Sequence, residues 1–211
     1  FPVVAGQGAS MMNEEIVKKL KFKFLERIPK VVYVFSDQRL KQMFGFHMPS
    51  QLNGLIENAV PPTQIFTIVT KNYCPDWTYY PSMKYGTLRD SVYLTQRYVE
   101  YPFFDYKVFI EGEPTTPAVC VVRIVDTKEG IRVARILEFF FPENSSGKLL
   151  ALSLIRKCLG FLKDHNCDYA DFYCNGQTYL TLLTEAGFTE AGANTLPSLL
   201  DPIDMSRKVQ N

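Results

Sequence analysis

The spacing of apolar residues predicts an amphipathic helix near the start of the chain and a buried strand directly after it. Pro29 ends the helix, whose apolar positions between residues 13 and 28 are Ile16, Val17, Leu20, Phe24, Leu25 and Ile28. The run from Val31 to Phe35 is continuously β-branched and aromatic, which is typical of a buried parallel strand. Asp37 is in position to cap a short helix that reaches Phe44.

The middle of the chain is less regular. Residues 49–62 predict a linker or a short helix, and residues 65–70 a strand. Residues 72–86 form a loop rich in Tyr, Trp and Pro, which offers stacking faces for an acceptor pocket or a cover for a sheet edge. Thr87 to Asp90 has the form of a capping box before a helix that ends near Glu100.

The second half predicts a sheet with helices. Residues 106–110, 118–126 and 132–141 predict three strands joined by turns, which is an antiparallel meander. Residues 147–165 predict a long helix and residues 169–174 a strand, and this order implies a right-handed parallel crossover. Residues 177–186 predict a last helix, with Gly187 as a left-handed C-cap.

Two parts of the chain share one order of elements. Each has a turn with glycine, a helix, a strand and a second helix that ends in Gly-Phe. The first copy runs from Gly6-Gln7-Gly8-Ala9 to Gly45-Phe46, and the second from Ser145-Ser146-Gly147-Lys148 to Gly187-Phe188. A glycine turn at a helix N-terminus is a site for phosphate groups.

Composition narrows the class of protein. The 211 residues, 46% of them hydrophobic, can bury one large core or two small ones. The formal net charge of +1 gives no reason to expect a nucleic-acid partner, and no apolar run is long enough to predict a membrane partner. The five cysteines lack paired spacing, which indicates buried reduced thiols and a cytoplasmic protein. The first residue is Phe rather than Met, which is typical of a fragment.

The order of elements in the second half, ending in Ala186-Gly187-Phe188, resembles the acyl-CoA N-acyltransferase fold of the GNAT superfamily. The segment from Arg97 to Phe104 (Arg-Tyr-Val-Glu-Tyr-Pro-Phe-Phe), with Asp171 to Cys174, is similar to bacterial GNAT-like proteins that carry two such domains. The resemblance implies an α/β fold with a mixed, mostly antiparallel sheet flanked by helices. It also implies a partial GNAT-like unit and linker at residues 1–60 and a GNAT-like domain at residues 61–211.

The resemblance implies a small-molecule acceptor and acetyl-CoA or another acyl-CoA as cofactor. The cofactor would be bound by Gly6, Gln7, Gly8 and Ala9 in the first copy and by Ser145, Ser146, Gly147 and Lys148 in the second. The family loop has Arg or Gln three residues before its first glycine, where this chain has Val3, and the second loop has one glycine and no arginine. No metal is expected, because His47 and His165 are too far apart for metal-ligand spacing.

Three residues are candidates for catalysis: Glu138, Tyr173 and Tyr179. Amine acylation needs a proton acceptor, and Glu138 lies on a strand where members of the family place a base. Its apolar neighbours would desolvate the carboxylate and make it a better proton acceptor. The alternative is that Glu138 meets solvent or Arg135, and that the two tyrosines belong to the core or the cleft rim.

The family also uses a tyrosine four residues before the terminal glycine as a general acid. This chain has Lys41 and Leu183 at those positions, and leucine has no proton to donate.

We therefore expect an enzyme that transfers an acyl group, with acetyl as the first expectation, from acyl-CoA to an amine of a small molecule such as an amino sugar. The alternative is a catalytically silent GNAT-like module that binds a ligand or a partner. A third hypothesis, a transferase that pairs two such domains and uses aminoacyl-tRNA, is disfavoured by the near-zero net charge. An enzyme should show two neighbouring strands that separate toward the helix N-terminus at Gly8 or Ser145. A silent module should have that opening filled by side chains such as Phe140, Phe141 or Leu149.

Overall fold

The computed structural model describes residue 19 and residues 28–36, 38, 40, 73–81, 87–127 and 130–191. The chain divides into two compact units, Phe1–Ile28 with Pro197–Asn211, and Pro29–Leu196. The strands and helices given below lie in the second unit. The turn at Gly6 to Ala9, the strand at residues 65–70 and most of the helix at residues 13–28 lie outside the described residues.

In the described part of the chain, six strands form one mixed sheet in the order β2-β3-β4-β5-β1-β6. Neighbouring strands are antiparallel except β4 and β5, which are parallel. The strands are β1 (Lys30–Val34), β2 (Tyr106–Glu111), β3 (Ala118–Asp126), β4 (Arg132–Phe140), β5 (Tyr169–Tyr173) and β6 (Thr189–Glu190). The predicted α/β class, with a mixed and mostly antiparallel sheet, is confirmed, as are the meander and the parallel pairing that follows it.

The helices with described bounds are α1 (Ser91–Leu94), α2 (Ser145–Asp164) and α3 (Gln177–Glu185). A π-helical turn, Thr95–Val99, continues α1. The capping box predicted from Thr87 is wrong, because Asp90 itself is the N-cap and its carboxylate accepts from the Tyr93 N–H. At the end of α3, Gly187 has a φ of +98°, which confirms the predicted left-handed C-cap.

Alternation along the strands divides the buried residues between the two faces of the sheet. Cys120 and Val122 of β3 lie in the core that α2 and α3 cover, which we call the helix face. Val119 and Val121 belong to a second core with Leu94 of α1, and we call this side the α1 face. Near the end of β4, the helix face is apolar and the α1 face carries a charged side chain.

Strand β1 differs from its prediction in direction and in place. It is antiparallel to β5 and to β6, whereas the sequence predicted a parallel strand. It also lies in the same sheet as the meander, whereas the sequence assigned residues 31–35 to a separate unit. Residues Val31 to Val34 are all buried. A continuous apolar run indicates that a strand is buried on both faces. It does not indicate whether the neighbouring strands are parallel or antiparallel to it.

The five cysteines are free thiols. Four are buried as predicted, and Cys74 is exposed. Within the described part of the chain, no helix is both long and apolar enough to cross a membrane.

Candidate functional site

Strands β4 and β5 pair over a short distance and then stop. The paired residues run from Val133 with Tyr169 to Arg135 with Asp171, although β4 continues to Phe140. The backbone groups of β4 beyond Arg135 that point toward β5 therefore have no β5 partner. The opening lies directly before α2, whose first residue is Ser145.

Aromatic rings meet beside this opening on the helix face. The Phe139 ring centroid is 6.4 Å from that of Phe172 on β5 and 6.3 Å from that of Tyr179 on α3. Phe141 is buried, and its ring centroid lies 4.9 Å from that of Tyr179. Of the side chains expected to fill the opening of a silent module, Phe141 is thus in this group. Phe140 belongs to the core on the α1 face, and Leu149 is 71% exposed.

Glu138 lies on the α1 face and accepts three hydrogen bonds. Arg89 Nε donates to its Oε2 at 2.7 Å, and the hydroxyls of Tyr93 and Tyr98 donate to its Oε1 at 3.0 and 2.9 Å. The Glu138 side chain is 12% exposed and that of Arg89 is 23% exposed. We call Glu138, Arg89, Tyr93 and Tyr98 the Glu138 cluster. The three donors thus surround a carboxylate that has little contact with water.

Local backbone geometry brings the two tyrosines to the same carboxylate. Tyr93 and Tyr98 are five residues apart, a spacing that in a regular α-helix turns two side chains away from each other. The π-helical turn Thr95–Val99 follows an i to i+5 pattern and brings them to one side. On β4, the register with β3 shifts between Val121 and Val122, so that Leu137 is the extra residue beside Glu138.

Burial changes the acidity of the hydroxyls around Glu138. Desolvation raises the pKa of Tyr98 and of Tyr93, and the charge of Glu138 raises both further. The pKa of Tyr73 is also raised, first by burial, and the Tyr73 hydroxyl has no hydrogen-bond partner among the described residues. The Tyr93 and Tyr98 hydroxyls therefore keep their protons at neutral pH and donate them to hydrogen bonds with Glu138.

A buried charged group lies on the same face, next to the point where β4 and β5 separate. Asp171 Oδ2 is 3.2 Å from Arg135 Nη1 and 3.4 Å from Lys30 Nζ. Burial raises the pKa of Asp171, and the two cations oppose that shift. Lys30 also lies over the ring of Tyr173, 5.8 Å from its centroid. The alternative prediction that Glu138 meets Arg135 does not hold, because Arg135 pairs with Asp171 and Glu138 with Arg89.

The first turn of α2 carries the predicted second cofactor loop. Asn144 is its N-cap, and its side-chain oxygen accepts from the Gly147 N–H at 2.7 Å and from the Ser146 hydroxyl at 2.9 Å. Ser145, Ser146 and Lys148 are exposed. A Cβ on Gly147 would overlap the carbonyl oxygen of Pro142, so close packing of the loop on the helix requires this glycine.

A cleft of about 340 Å³ lies beside the Glu138 cluster. We call it the aromatic cleft, after the five rings that line it, those of Tyr98, Tyr101, Phe103, Phe104 and Tyr106. Phe103 is 77% exposed and Phe104 is 48% exposed. Tyr98 belongs to both sites, since its ring lines the cleft and its hydroxyl donates to Glu138.

The structure brings together some of the residues predicted for the site. Glu138 and Tyr173 lie on the α1 face, on either side of the opening, whereas Tyr179 packs on the helix face. Gly6, Gln7, Gly8 and Ala9 lie outside the described residues. Arg89, Tyr93 and Tyr98 were not predicted as neighbours of Glu138. The spacing of Arg89 and Tyr93, four residues apart just before and within a helix, was the available signal.

No family model matches the chain, and no curated protein matches it. Among solved structures it is similar to one titled "Putative acetyltransferase from Agrobacterium tumefaciens str. C58". The two chains are 16% identical with a TM-score of 0.42, over 58% of this chain and 87% of the other. A likeness at this level carries no argument about activity.

Proposed function

We propose that the protein transfers an acyl group from an acyl-CoA, acetyl-CoA first, to an amine of a small molecule. The observation that carries the proposal is the separation of β4 and β5 after Arg135, with Glu138 beside the opening and the N-terminus of α2 at its end. Backbone N–H groups of β4 that have no partner on β5 offer donors to an extended thioester ligand. The exposed first turn of α2 offers N–H groups to a pyrophosphate.

Glu138 can accept the proton that an amine loses when it is acylated. Its Oε2 accepts only from Arg89 among the described residues, which leaves capacity for a hydrogen bond from a substrate ammonium. In the transfer, the amine nitrogen bonds to the acyl carbon as the thioester C–S bond breaks. The proton that the amine loses passes through Glu138 and ends on the coenzyme thiolate. Leu183 is fully buried and has no proton to give, so no role in this step falls to it.

The test is thermal stability with acetyl-CoA, with desulfo-CoA and with ATP. A ligand at about 100 times its dissociation constant adds about 2.7 kcal/mol to the free energy of unfolding. We expect both coenzyme compounds, and not ATP, to raise the melting temperature. Equal stability in all three would contradict the proposal.

A variant of the α2 N-terminus separates binding from folding. Ser145→Glu places a negative charge where the pyrophosphate would bind, yet an acidic residue in the first turn favours the helix. We expect the variant to fold normally and to lose the shift with both coenzyme compounds. Ser145→Ala is the matched control and should keep the shift.

One observation favours the second candidate, a silent module that binds a ligand or a partner. The rings of Phe139 and Phe172 are in contact between the two strands that separate. If these rings fill the opening, neither acetyl-CoA nor desulfo-CoA will change the melting temperature, and Phe139→Ala will not restore a shift. A shift in the parent protein shows that the rings do not close the opening to the coenzyme.

A further inference from the structure

The short connection between β5 and α3 contains an asparagine followed directly by a glycine. It consists of Cys174, Asn175 and Gly176, between Tyr173 at the end of β5 and Gln177 at the start of α3. Asn175 is exposed. The side-chain carbonyl carbon of an asparagine and the backbone nitrogen of the next residue can close a five-membered ring. A glycine in that next position favours the ring, because no Cβ crowds the nitrogen.

Hydrogen bonding leaves both reacting groups of this pair free. Neither the Asn175 side chain nor the Gly176 N–H has a hydrogen-bond partner among the described residues. The preceding residue, Cys174, is held, since its N–H donates to Pro29 O at 3.2 Å. A Cβ placed on Gly176 would meet only Tyr179 Cδ2 within 4 Å, at 3.5 Å, so there is space around this residue. The Asn175 side chain can therefore reach the next nitrogen without first losing a hydrogen bond to another described residue.

The other two asparagines in the described part of the chain are held. Asn144 is exposed, but its side-chain oxygen accepts two hydrogen bonds at the start of α2. Asn166 is exposed as well, but the N–H of the next residue, Cys167, donates to Leu162 O at 3.1 Å. Exposure is therefore common to all three asparagines, and the free reacting groups distinguish Asn175.

We propose that Asn175 deamidates in the folded protein. The Gly176 nitrogen bonds to the side-chain carbonyl carbon of Asn175, and the bond from that carbon to the side-chain nitrogen breaks. Ammonia leaves with the proton of the Gly176 N–H, and a succinimide ring remains. Water then opens the ring at one of its two carbonyl groups and gives aspartate or isoaspartate, so that one water is consumed for each ammonia released. The inference does not depend on the proposed acyl transfer.

Either product changes the start of α3. The helix has no acidic residue in its first turn and no side-chain cap, so the new carboxylate adds a charge that its N-terminus favours. Isoaspartate also lengthens the backbone by one carbon between Phe172 on β5 and Tyr179 on α3, whose rings both lie next to that of Phe139. We expect the extra carbon to weaken the packing of α3 and to lower the melting temperature.

Incubation of the full chain in heavy-oxygen water at mildly alkaline pH tests the reaction. Digestion in ordinary water and mass spectrometry with fragmentation then assign the label to individual residues, and heavy oxygen marks only the deamidation that preceded digestion. We expect label at Asn175 and none at Asn144 or Asn166. The rate at Asn175 should be within about tenfold of that in an unstructured peptide of the same sequence, which corresponds to a conformational cost below about 1.4 kcal/mol.

Variants connect the modification to its effect on stability. Asn175→Gln closes the ring far less readily, because its longer side chain would form a larger one, so it should lose the label and keep its melting temperature through the incubation. Freshly prepared Asn175→Asp is the matched control for charge, since it carries the carboxylate on an unaltered backbone. It should melt at the temperature of the fresh parent protein or above it.

Several outcomes would overturn the inference. One is a rate at Asn175 more than about tenfold below that of the peptide, because the fold would then protect the pair. Another is equal label at Asn144 or Asn166, because the free groups would then not decide the site. A labelled parent protein with an unchanged melting temperature would overturn the effect on α3.

Discussion

Glu138 and Arg89 are a partly buried charge pair, and removing either partner leaves the other with little access to water. Lys107 and Asp105 form a second pair at the start of β2, but their side chains are 35% and 78% exposed. Water screens an exposed pair, and hydrogen bonds to a charged group gain strength as water is excluded. The two pairs should therefore contribute differently to stability.

A double-mutant cycle measures that difference. With Arg89→Gln, Glu138→Gln and the double variant, we expect a coupling free energy of about 1.5–3 kcal/mol from urea unfolding. The same cycle with Lys107→Gln and Asp105→Asn should give about 0.2–1 kcal/mol. Equal coupling in the two pairs would mean that the burial of Glu138 has no energetic effect.

Gly147 gives a second prediction for a single residue. Gly147→Ala adds a Cβ that overlaps the Pro142 carbonyl, a backbone atom that has no flexible side chain to move. We expect a loss of about 1–3 kcal/mol in the free energy of unfolding, despite the higher helix propensity of alanine. Lys148→Ala, one residue later and exposed, is the control and should change stability little. An unchanged stability in Gly147→Ala would show that the loop is not held against the helix.

At the level of elements, α1 and its π-helical turn carry two of the three donors to Glu138. The four residues of α1 are too short to be stable alone. Packing of Leu94 and Tyr98 in the core of the α1 face, and the cap at Asp90, hold the segment. Its N-cap therefore affects both stability and the site.

The cap can be tested against the alternative that the sequence suggested. Asp90→Ala should cost about 1 kcal/mol, because the Tyr93 N–H loses its acceptor, whereas Asp90→Asn should retain most of the stability. Thr87→Ala should have little effect, since Thr87 does not cap the helix. Urea unfolding of the three variants checks this, and a larger loss in Thr87→Ala than in Asp90→Ala would restore the predicted capping box.

The sequence predicted the elements whose pattern reflects burial. The strands of the meander, α2, β5 and α3 have clear alternation or helical spacing, and their bounds agree closely with the prediction. The direction of β1 was not predictable, since residues buried on both faces look alike in either direction. The Glu138 cluster depends on a π-helical turn and an extra residue at Leu137, and neither has a reliable sequence pattern. Glu138 was therefore identified, and its partners were not.

In the whole molecule, many hydroxyl and thiol groups are buried. Desolvation raises the pKa of the hydroxyl groups of Tyr33, Tyr73, Tyr80, Tyr93, Tyr98 and Tyr169. It also raises the pKa of Cys167 to about 12 and that of Cys174 to about 11. Each group is an acid that ionises at higher pH in the folded chain than in the unfolded chain. The free energy of unfolding should therefore fall as the pH becomes alkaline.

The sign follows from proton binding. Below the ordinary values of 9.0 for cysteine and 10.0 for tyrosine, both states hold these protons, and the groups add no pH dependence. Above them the unfolded chain releases protons first, so the free energy of unfolding falls as pH rises toward the folded-state pKa values. Each group contributes up to about 1.4 kcal/mol per pH unit within its window.

Tyr169 offers the sharpest test of this dependence. Its hydroxyl is buried without a hydrogen-bond partner among the described residues, so Tyr169→Phe should be as stable as the parent or more stable at neutral pH. Tyr98→Phe should be less stable there, because Glu138 loses a donor. Above pH 10 both variants should lose stability less steeply than the parent, by about 1.4 kcal/mol per pH unit. Urea unfolding in steps from neutral pH to about pH 11 measures both effects. A parent protein whose stability stays flat over that range, or a Tyr169→Phe variant as destabilised as Tyr98→Phe, would contradict this account of the buried hydroxyls.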